Sequence, residues 1–252
     1  LRKHFMLKQF NFIYILIFFI GGCSIMETKA PFIPMEDFMR NPEKSSFQIS
    51  PNGNYVAFMK PWKTRMNVFV MDMNTNKEER LTSSETRGIY GFTWLTDNRI
   101  GYVKDDGGNE NMHFYAVNID GTNEMDLTPF ENIQARIIDD LEDDQNHVII
   151  GLNKRNPQIH DPYRVNINNG TMEMIAENPG NISGWGTDHN GKLRIATTSD
   201  GVNTSLLYRD KESDKFKPIL TTDFKVSVAP LFFTFATKNL FVASNRGRDK
   251  TA

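Results

Sequence analysis

One short pattern recurs five times along the chain, and its spacing restricts the folds open to the sequence. Each copy is a polar turn followed by an apolar strand, and the copies begin their strands at Val56, Ile100, Val148, Leu193 and Leu240. The steps between these residues are 44, 48, 45 and 47. A repeat of this length is typical of propeller blades, each of which is a small four-stranded sheet. The pattern therefore predicts an all-β fold, a β-propeller.

A second set of positions reports the same period. The turns that follow the third strand of each repeat begin at Asp72, Asn118, Asn166 and Arg209, in steps of 46, 48 and 43 residues. We therefore expect four complete four-stranded antiparallel blades, near residues 46–85, 88–130, 135–178 and 181–222, and a partial fifth. An open blade leaves a pairing edge unsatisfied, so an incomplete ring is expected to be a truncated product or a fragment.

The N-terminus differs from the repeats. Basic residues precede an apolar run at 10–20, and Ile20 to Cys23 resemble the lipobox of a bacterial lipoprotein signal peptide, whose cysteine is lipidated. A largely apolar run of eleven residues is too short to cross a hydrocarbon core of about 30 Å. We expect a signal peptide over 1–22, a tether over 23–37 and the propeller over 38–252. The protein would then be anchored through Cys23 in the cell envelope, in the periplasm or at the outer membrane.

The charge and the cysteine content argue against a nucleic-acid partner and against an intramolecular disulfide. The formal net charge is −2 and the acidic and basic residues are interspersed, so no basic field is available for nucleic acid. Cys23 is the single cysteine, which excludes an intramolecular disulfide.

Two acidic segments are candidate ligand or catalytic sites. The loop Asp105–Asn111 is rich in oxygen ligands but lacks the spacing of a calcium loop, which favours a solvated connection. A run of carboxylates could also suggest a glycosidase pair, although its place in a hairpin favours a solvated turn; it comprises Asp139, Asp140, Glu142, Asp143 and Asp144. The five histidines are scattered without metal spacing, so we expect no metal and no cofactor.

Three tryptophans and three arginines are further candidates. Trp62, Trp94 and Trp185 fall in or beside predicted strands, which favours packing in the core or between blades over ligand binding. Arg65, Arg87 and Arg155 are predicted in loops and could face a substrate cavity.

Residues 36–252 resemble the N-terminal propeller of the prolyl oligopeptidase family of serine peptidases, in particular its dipeptidyl aminopeptidase and acylaminoacyl-peptidase branches. The resemblance is carried by the segments 49–82, 99–128 and 230–252. It implies a propeller that caps an α/β-hydrolase domain and admits short peptides, while a serine in a Gly-x-Ser-x-Gly turn performs the chemistry. The nearest string, Gly180 to Gly184, has the wrong spacing and is predicted in a loop before a strand. No catalytic residue is therefore assigned.

Two functions remain open from the sequence. The chain is either the gating propeller of a peptidase whose catalytic domain lies outside it, or a stand-alone, lipid-anchored scaffold of the Tol-associated type that binds other envelope proteins. If the chain is a gating propeller, its partners are peptides, which the hydrolase domain would bind. Both functions predict contact with a membrane through lipidated Cys23.

The lipobox yields a direct prediction. Cells that express the protein should incorporate radiolabelled palmitate into it, and Cys23→Ala should abolish the label because the thioether at this cysteine carries the lipid. Label that survives the substitution would contradict the anchor.

Overall fold

Nearly all of the regular structure is β-strand in a computed structural model that describes residues 30–105 and 107–251. The chain divides into two units, Leu1–Arg40 and Asn41–Ala252. In the described part of the first unit, one helix, α1 (Met35–Met39), follows Pro34. No helix within the described ranges is long and apolar enough to span a membrane. The predicted signal peptide and Cys23 lie outside the described residues.

The second unit contains four antiparallel sheets of four strands, each in sequence order. The first two blades comprise β1 (Ser45–Ile49), β2 (Tyr55–Trp62), β3 (Arg65–Asp72) and β4 (Glu78–Arg80), then β5 (Gly91–Thr96), β6 (Arg99–Lys104), β7 (His113–Asn118) and β8 (Met125–Asp126). The next two comprise β9 (Ala135–Asp139), β10 (His147–Asn156), β11 (Ile159–Asn166) and β12 (Met172–Met174), then β13 (Ile182–Thr187), β14 (Leu193–Ser199), β15 (Thr204–Tyr208) and β16 (Lys217–Thr222).

A fifth sheet has two strands, β17 (Val228–Phe233) and β18 (Leu240–Ser244). Four complete blades, a partial fifth and an open ring are therefore confirmed. Phe232 and Phe241 are in tilted contact, with ring centroids 5.2 Å apart on this last hairpin, and both remain more than half exposed. The last sheet thus presents an apolar face that no described strand covers.

The blades are held face to face by alternating side chains of their middle strands. In β2, Ala57 and Met59 point toward the second blade, where they join Ile100 and Tyr102 of β6 in one buried cluster. Successive residues of a strand face opposite sides of its sheet, so the intervening residue of β6, Gly101, faces the third blade. A second buried cluster on that side includes Phe114. The second blade therefore contributes to two cores.

The first strand of each blade is the innermost. Gln48 of β1 donates from Nε2 to the carbonyl oxygen of Phe92 at 2.9 Å, and Trp94 of β5 donates from Nε1 to the carbonyl oxygen of Gln48 at 3.2 Å. The hydroxyl of Thr187 in β13 donates to Asp139 of β9. These bonds link neighbouring first strands, which places the first strands around the propeller axis.

A threonine closes the outer edge of each of the first two blades. The hydroxyl of Thr82 accepts the Val68 amide at 2.9 Å, and that of Thr128 accepts the Phe114 amide at 2.9 Å. Both threonines are buried and follow a short fourth strand, so the side chain replaces a backbone acceptor where the strand has ended. This bond explains why the Leu-Thr pair recurs at 81–82 and 127–128.

The close contact between the second and third blades yields a test. A Cβ added at Gly101 would overlap the ring of buried Phe114 and lie 3.1 Å from Cδ1 of Leu95, whereas one at Gly91 meets nothing within 4 Å. Gly101→Ala should therefore lower the free energy of unfolding by about 1–3 kcal/mol, and Gly91→Ala should change it little. Urea denaturation measures both. Equal midpoints for the two variants would contradict this packing.

Candidate functional site

The candidate site is a cavity of about 560 Å³ at one end of the propeller axis. The ends of three innermost strands form its wall: residues 138–139 of β9, 185–187 of β13 and 231–233 of β17. The turns that follow β9 and β13 complete it. We call it the axial cavity. Since its wall comes from three consecutive blades, its shape depends on how the blades are packed.

Carboxylates dominate one side of the axial cavity. They belong to the hairpin Asp139–Asp144 between β9 and β10, so the predicted hairpin position of the acidic run is confirmed. Asp139 accepts the hydroxyl of Thr187, and Asp140 accepts the hydroxyl of Thr93 at 2.8 Å. Each hydroxyl comes from a different blade, so these two carboxylates fasten the hairpin to its neighbours.

The remaining carboxylates of the hairpin differ in their surroundings. Burial raises the pKa of Asp144, but hydrogen bonds from the amide of Asn146 and from His147 outweigh burial and hold that pKa below its ordinary value. Glu142 and Asp143 are exposed and have no hydrogen-bond or ion-pair partner within the described ranges. Two free negative charges therefore face the cavity.

The basic groups of the opposite wall are already engaged. Arg164 donates from Nη2 to the carbonyl oxygen of Gly191 at 2.8 Å and to Oε1 of Glu212 at 3.2 Å. His189 Nε2 lies 2.6 Å from the carbonyl oxygen of Phe233, and so carries its proton on that nitrogen. Because Arg164 is paired and His189 binds a neutral carbonyl, neither neutralises Glu142 and Asp143. The cavity is consequently suited to positively charged groups.

The acidic hairpin is fixed in one position by a buried leucine. Leu141 adopts the left-handed conformation, with φ of 55°, and packs against Gly191 in the equivalent hairpin of the fourth blade. Its amide donates to Oδ1 of Asp139 at 2.8 Å. A left-handed leucine costs free energy, which its burial and this hydrogen bond offset.

Among the described residues, no histidine is hydrogen-bonded to a serine hydroxyl. The described ranges contain two histidine–aspartate pairs, His113 Nδ1 with Asp126 Oδ2 at 2.7 Å and His147 Nδ1 with Asp144 Oδ2 at 3.0 Å. Neither histidine has a hydrogen bond to a serine hydroxyl in the described part of the chain. Ser183, which we predicted in a loop, lies within strand β13 instead. It is not on a strand-to-helix turn, and its hydroxyl donates to the carbonyl oxygen of Thr197.

The other candidates lie elsewhere. Asp105 and residues 107–111 lie between β6 and β7, as predicted, and no group of three or more metal-ligating side chains occurs among the described residues. Trp94 packs between the first two blades, whereas Trp185 lines the axial cavity, which the sequence did not predict. Trp62 ends β2, where the guanidinium of Arg80 lies 3.9 Å from its ring centroid.

Two of the three arginines are not in loops. Arg65 begins β3 and Arg155 lies in β10, and only Arg87 is in a connection. All three sit at the ends of the blades where the second and third strands are joined, opposite the turns of the axial cavity. Arg155 binds the buried carboxylate of Asp161 in two hydrogen bonds of 3.0 Å. Their placement argues against a role in this cavity.

The packing of Leu141 against Gly191, which we call the hairpin contact, can be tested by a glycine substitution. A Cβ at Gly191 would lie 2.6 Å from Cδ2 of Leu141, and its φ is +65°, whereas Gly201 has a φ of +93° with nothing within 4 Å. Gly201→Ala should cost about 1–2 kcal/mol for backbone strain alone. Gly191→Ala should cost more, because the added methyl group also overpacks Leu141.

A double variant provides the control. Adding Leu141→Ala to Gly191→Ala should lower the unfolding free energy by less than the sum of the two single changes. Urea denaturation measures these free energies of unfolding. Strictly additive losses in the double variant, or equal losses for the two glycine variants, would contradict the hairpin contact.

Sequence comparison relates the chain to peptidases. No family model matches it. It is 29% identical over 218 residues to dipeptidyl aminopeptidase BIII of Pseudoxanthomonas mexicana, covering 84% of this chain and 31% of that protein. It is 23% identical over 191 residues to dipeptidyl peptidase family member 6 of Caenorhabditis elegans, covering 72% and 26%. The chain thus spans about a third or less of the length of these relatives.

Structural comparison supports the fold. An oligogalacturonate lyase in complex with manganese superposes with a TM-score of 0.62 at 13% identity, over 84% of this chain and 65% of that one. The β-propeller domain of the trilobed protease from Pyrococcus furiosus superposes with a TM-score of 0.52 at 16% identity, over 83% and 68%. With the peptidase similarity, these findings confirm that the chain resembles the propellers of prolyl oligopeptidase-family peptidases.

Proposed function

We propose that the chain is the non-catalytic, substrate-gating propeller of a serine peptidase of the prolyl oligopeptidase family, with the hydrolase chemistry performed by polypeptide outside it. The observation that carries this proposal is the 29% identity to a dipeptidyl aminopeptidase over 218 residues. The propeller fold and the axial cavity at the ends of the innermost strands support it.

The geometry supports a selection by size. An extended peptide is only a few ångströms wide, so an opening on the scale of the axial cavity accommodates a short or unfolded segment. A folded domain of 100 residues has a radius of gyration of about 13 Å and cannot enter. Selection therefore needs no catalytic group in the propeller, only walls that keep their positions.

The geometry also supports a selection by charge. Glu142 and Asp143 lie free beside the hydrophobic side chains of residues 231–233. Unpaired carboxylates near a low-dielectric wall attract cations more strongly than carboxylates in open solvent. We expect peptides with positive charge to be drawn toward this end of the propeller.

The location is a separate part of the proposal. The lipobox-like Ile20 to Cys23 supports a lipid anchor in the cell envelope, with the propeller facing away from the cytoplasm. A stand-alone scaffold would share this anchor, so localisation does not distinguish the two functions. Peptide hydrolysis by the longer gene product would distinguish them.

The chain on its own should be inactive. Acyl transfer needs a nucleophile within hydrogen-bond reach of a histidine base and beside an oxyanion hole, and the described residues hold no such set. Purified protein should show no turnover of a dipeptidyl or acylaminoacyl chromogenic substrate. Turnover that a serine-directed inhibitor blocks would place the chemistry in this chain.

The DNA that follows the codon for Ala252 tests the role itself. We expect an open frame that encodes further blades and a Gly-x-Ser-x-Gly motif. A stop codon within intact flanking sequence would instead support the scaffold, and would overturn the peptidase assignment.

A further inference from the structure

Arg99, the first residue of β6, is a buried guanidinium group whose bonds all go to neutral acceptors. The residue is 6% exposed. It donates from Nη1 to Oδ1 of Asn118 at 2.7 Å, and from Nε and Nη2 to the carbonyl oxygens of Ile167 and Asn123 at 3.1 and 3.2 Å. Burial lowers its pKa, and no acidic neighbour opposes that shift. The charge is therefore uncompensated, which is costly inside a protein.

Other arginines of the later blades have carboxylate partners. Arg155 pairs with Asp161 at 3.0 Å, Arg164 with Glu212 at 3.2 Å and Arg194 with Asp188 at 2.7 Å.

Arg209 provides the closest comparison with Arg99. It is 5% exposed and its guanidinium also donates to carbonyl oxygens, at 2.6–3.4 Å. Burial lowers its pKa, but Glu212 and Asp214 oppose that shift. Arg99 thus differs from a similarly buried arginine in that no carboxylate opposes the effect of its burial.

The side chain of Arg99 lines a cavity of about 540 Å³. Turns of the second and third blades form it, and its lining is rich in amide side chains: Asn98, Asn118, Gln145 and Asn168. A guanidinium has five N–H groups, of which three are engaged by the bonds described above. The side-chain amides of Asn98 and Gln145 have no hydrogen-bond partner within the described ranges, although the backbone amide of Asn98 donates to the hydroxyl of Thr96. Two exposed amide donors without protein acceptors thus line the cavity beside a buried positive charge.

We propose that this cavity binds a small oxyanion, a carboxylate or phosphate group, through Arg99 with Asn98 and Gln145. An oxyanion would compensate the buried charge, and a guanidinium presents paired donors that match its geometry. This assignment does not depend on the proposed peptidase role.

One acidic residue at the rim limits the charge of the ligand. Asp120 is exposed and lines the same cavity, and its carboxylate accepts the amide of Thr122 at 2.9 Å and the Thr122 hydroxyl at 2.6 Å. Its negative charge opposes anion binding. The site should therefore favour a singly charged group over a multiply charged one.

Thermal unfolding in the presence of anions tests the site. Acetate and inorganic phosphate are titrated separately against chloride at equal ionic strength, because a ligand of the folded state raises the midpoint in a saturable way. The wild-type chain and Arg209→Met should show the same saturable rise with at least one anion, while Arg99→Met should show none. Arg209→Met is the matched control, since it also removes a buried arginine that binds backbone carbonyls.

Variants at exposed positions keep the test decisive if Arg99→Met fails to fold. Asn98→Ala with Gln145→Ala should weaken anion affinity at least threefold. Asp120→Asn should tighten it by a similar factor, because the amide keeps the acceptor for Thr122 and removes the charge. A response to acetate alone or to phosphate alone identifies the group bound. No saturable response in the wild type, or an equal response in Arg99→Met, would overturn the proposal.

Discussion

Packing between the faces of neighbouring blades is the interaction on which the rest of the structure depends. The middle strands place alternate residues in two different cores, so that Tyr102 belongs to one buried cluster and Phe114 to the next. Burying a large apolar side chain contributes about 1.5–3 kcal/mol, and each blade buries several. A single blade could not bury either of its faces alone, which is why the fold requires consecutive repeats.

The axial cavity is a consequence of that packing. Its walls are the ends of innermost strands from three blades, and hydrogen bonds between blades hold its carboxylates: Thr93 binds Asp140 and Thr187 binds Asp139. Leu141 adds a packing contact with Gly191 of the next hairpin. The hairpin that carries the unpaired charges of Glu142 and Asp143 is therefore held in one position. Under the proposed gating role, such a wall would need to contribute no nucleophile.

Much of the fold could be predicted from the sequence because it is periodic. The strand start at Val56 and the third-strand end at Asp72 repeat with nearly the same step, and each lies within one residue of a strand boundary. The site could not be predicted in the same way. The hairpin position of Asp139–Asp144 was evident, but the side of the ring it faces depends on contacts with Thr93 and Thr187, 47 and 48 residues away. No local pattern reports such contacts.

Size selection by the protein encoded by the whole gene tests the account most directly. The measurement compares kcat/KM for a short peptide with that for the same cleavable sequence displayed on the surface of a folded protein. If the propeller gates access, the peptide should be cleaved and the folded protein should be cleaved at least a hundredfold more slowly. Comparable values for the two substrates would contradict the gating role, even if the peptidase activity itself were present.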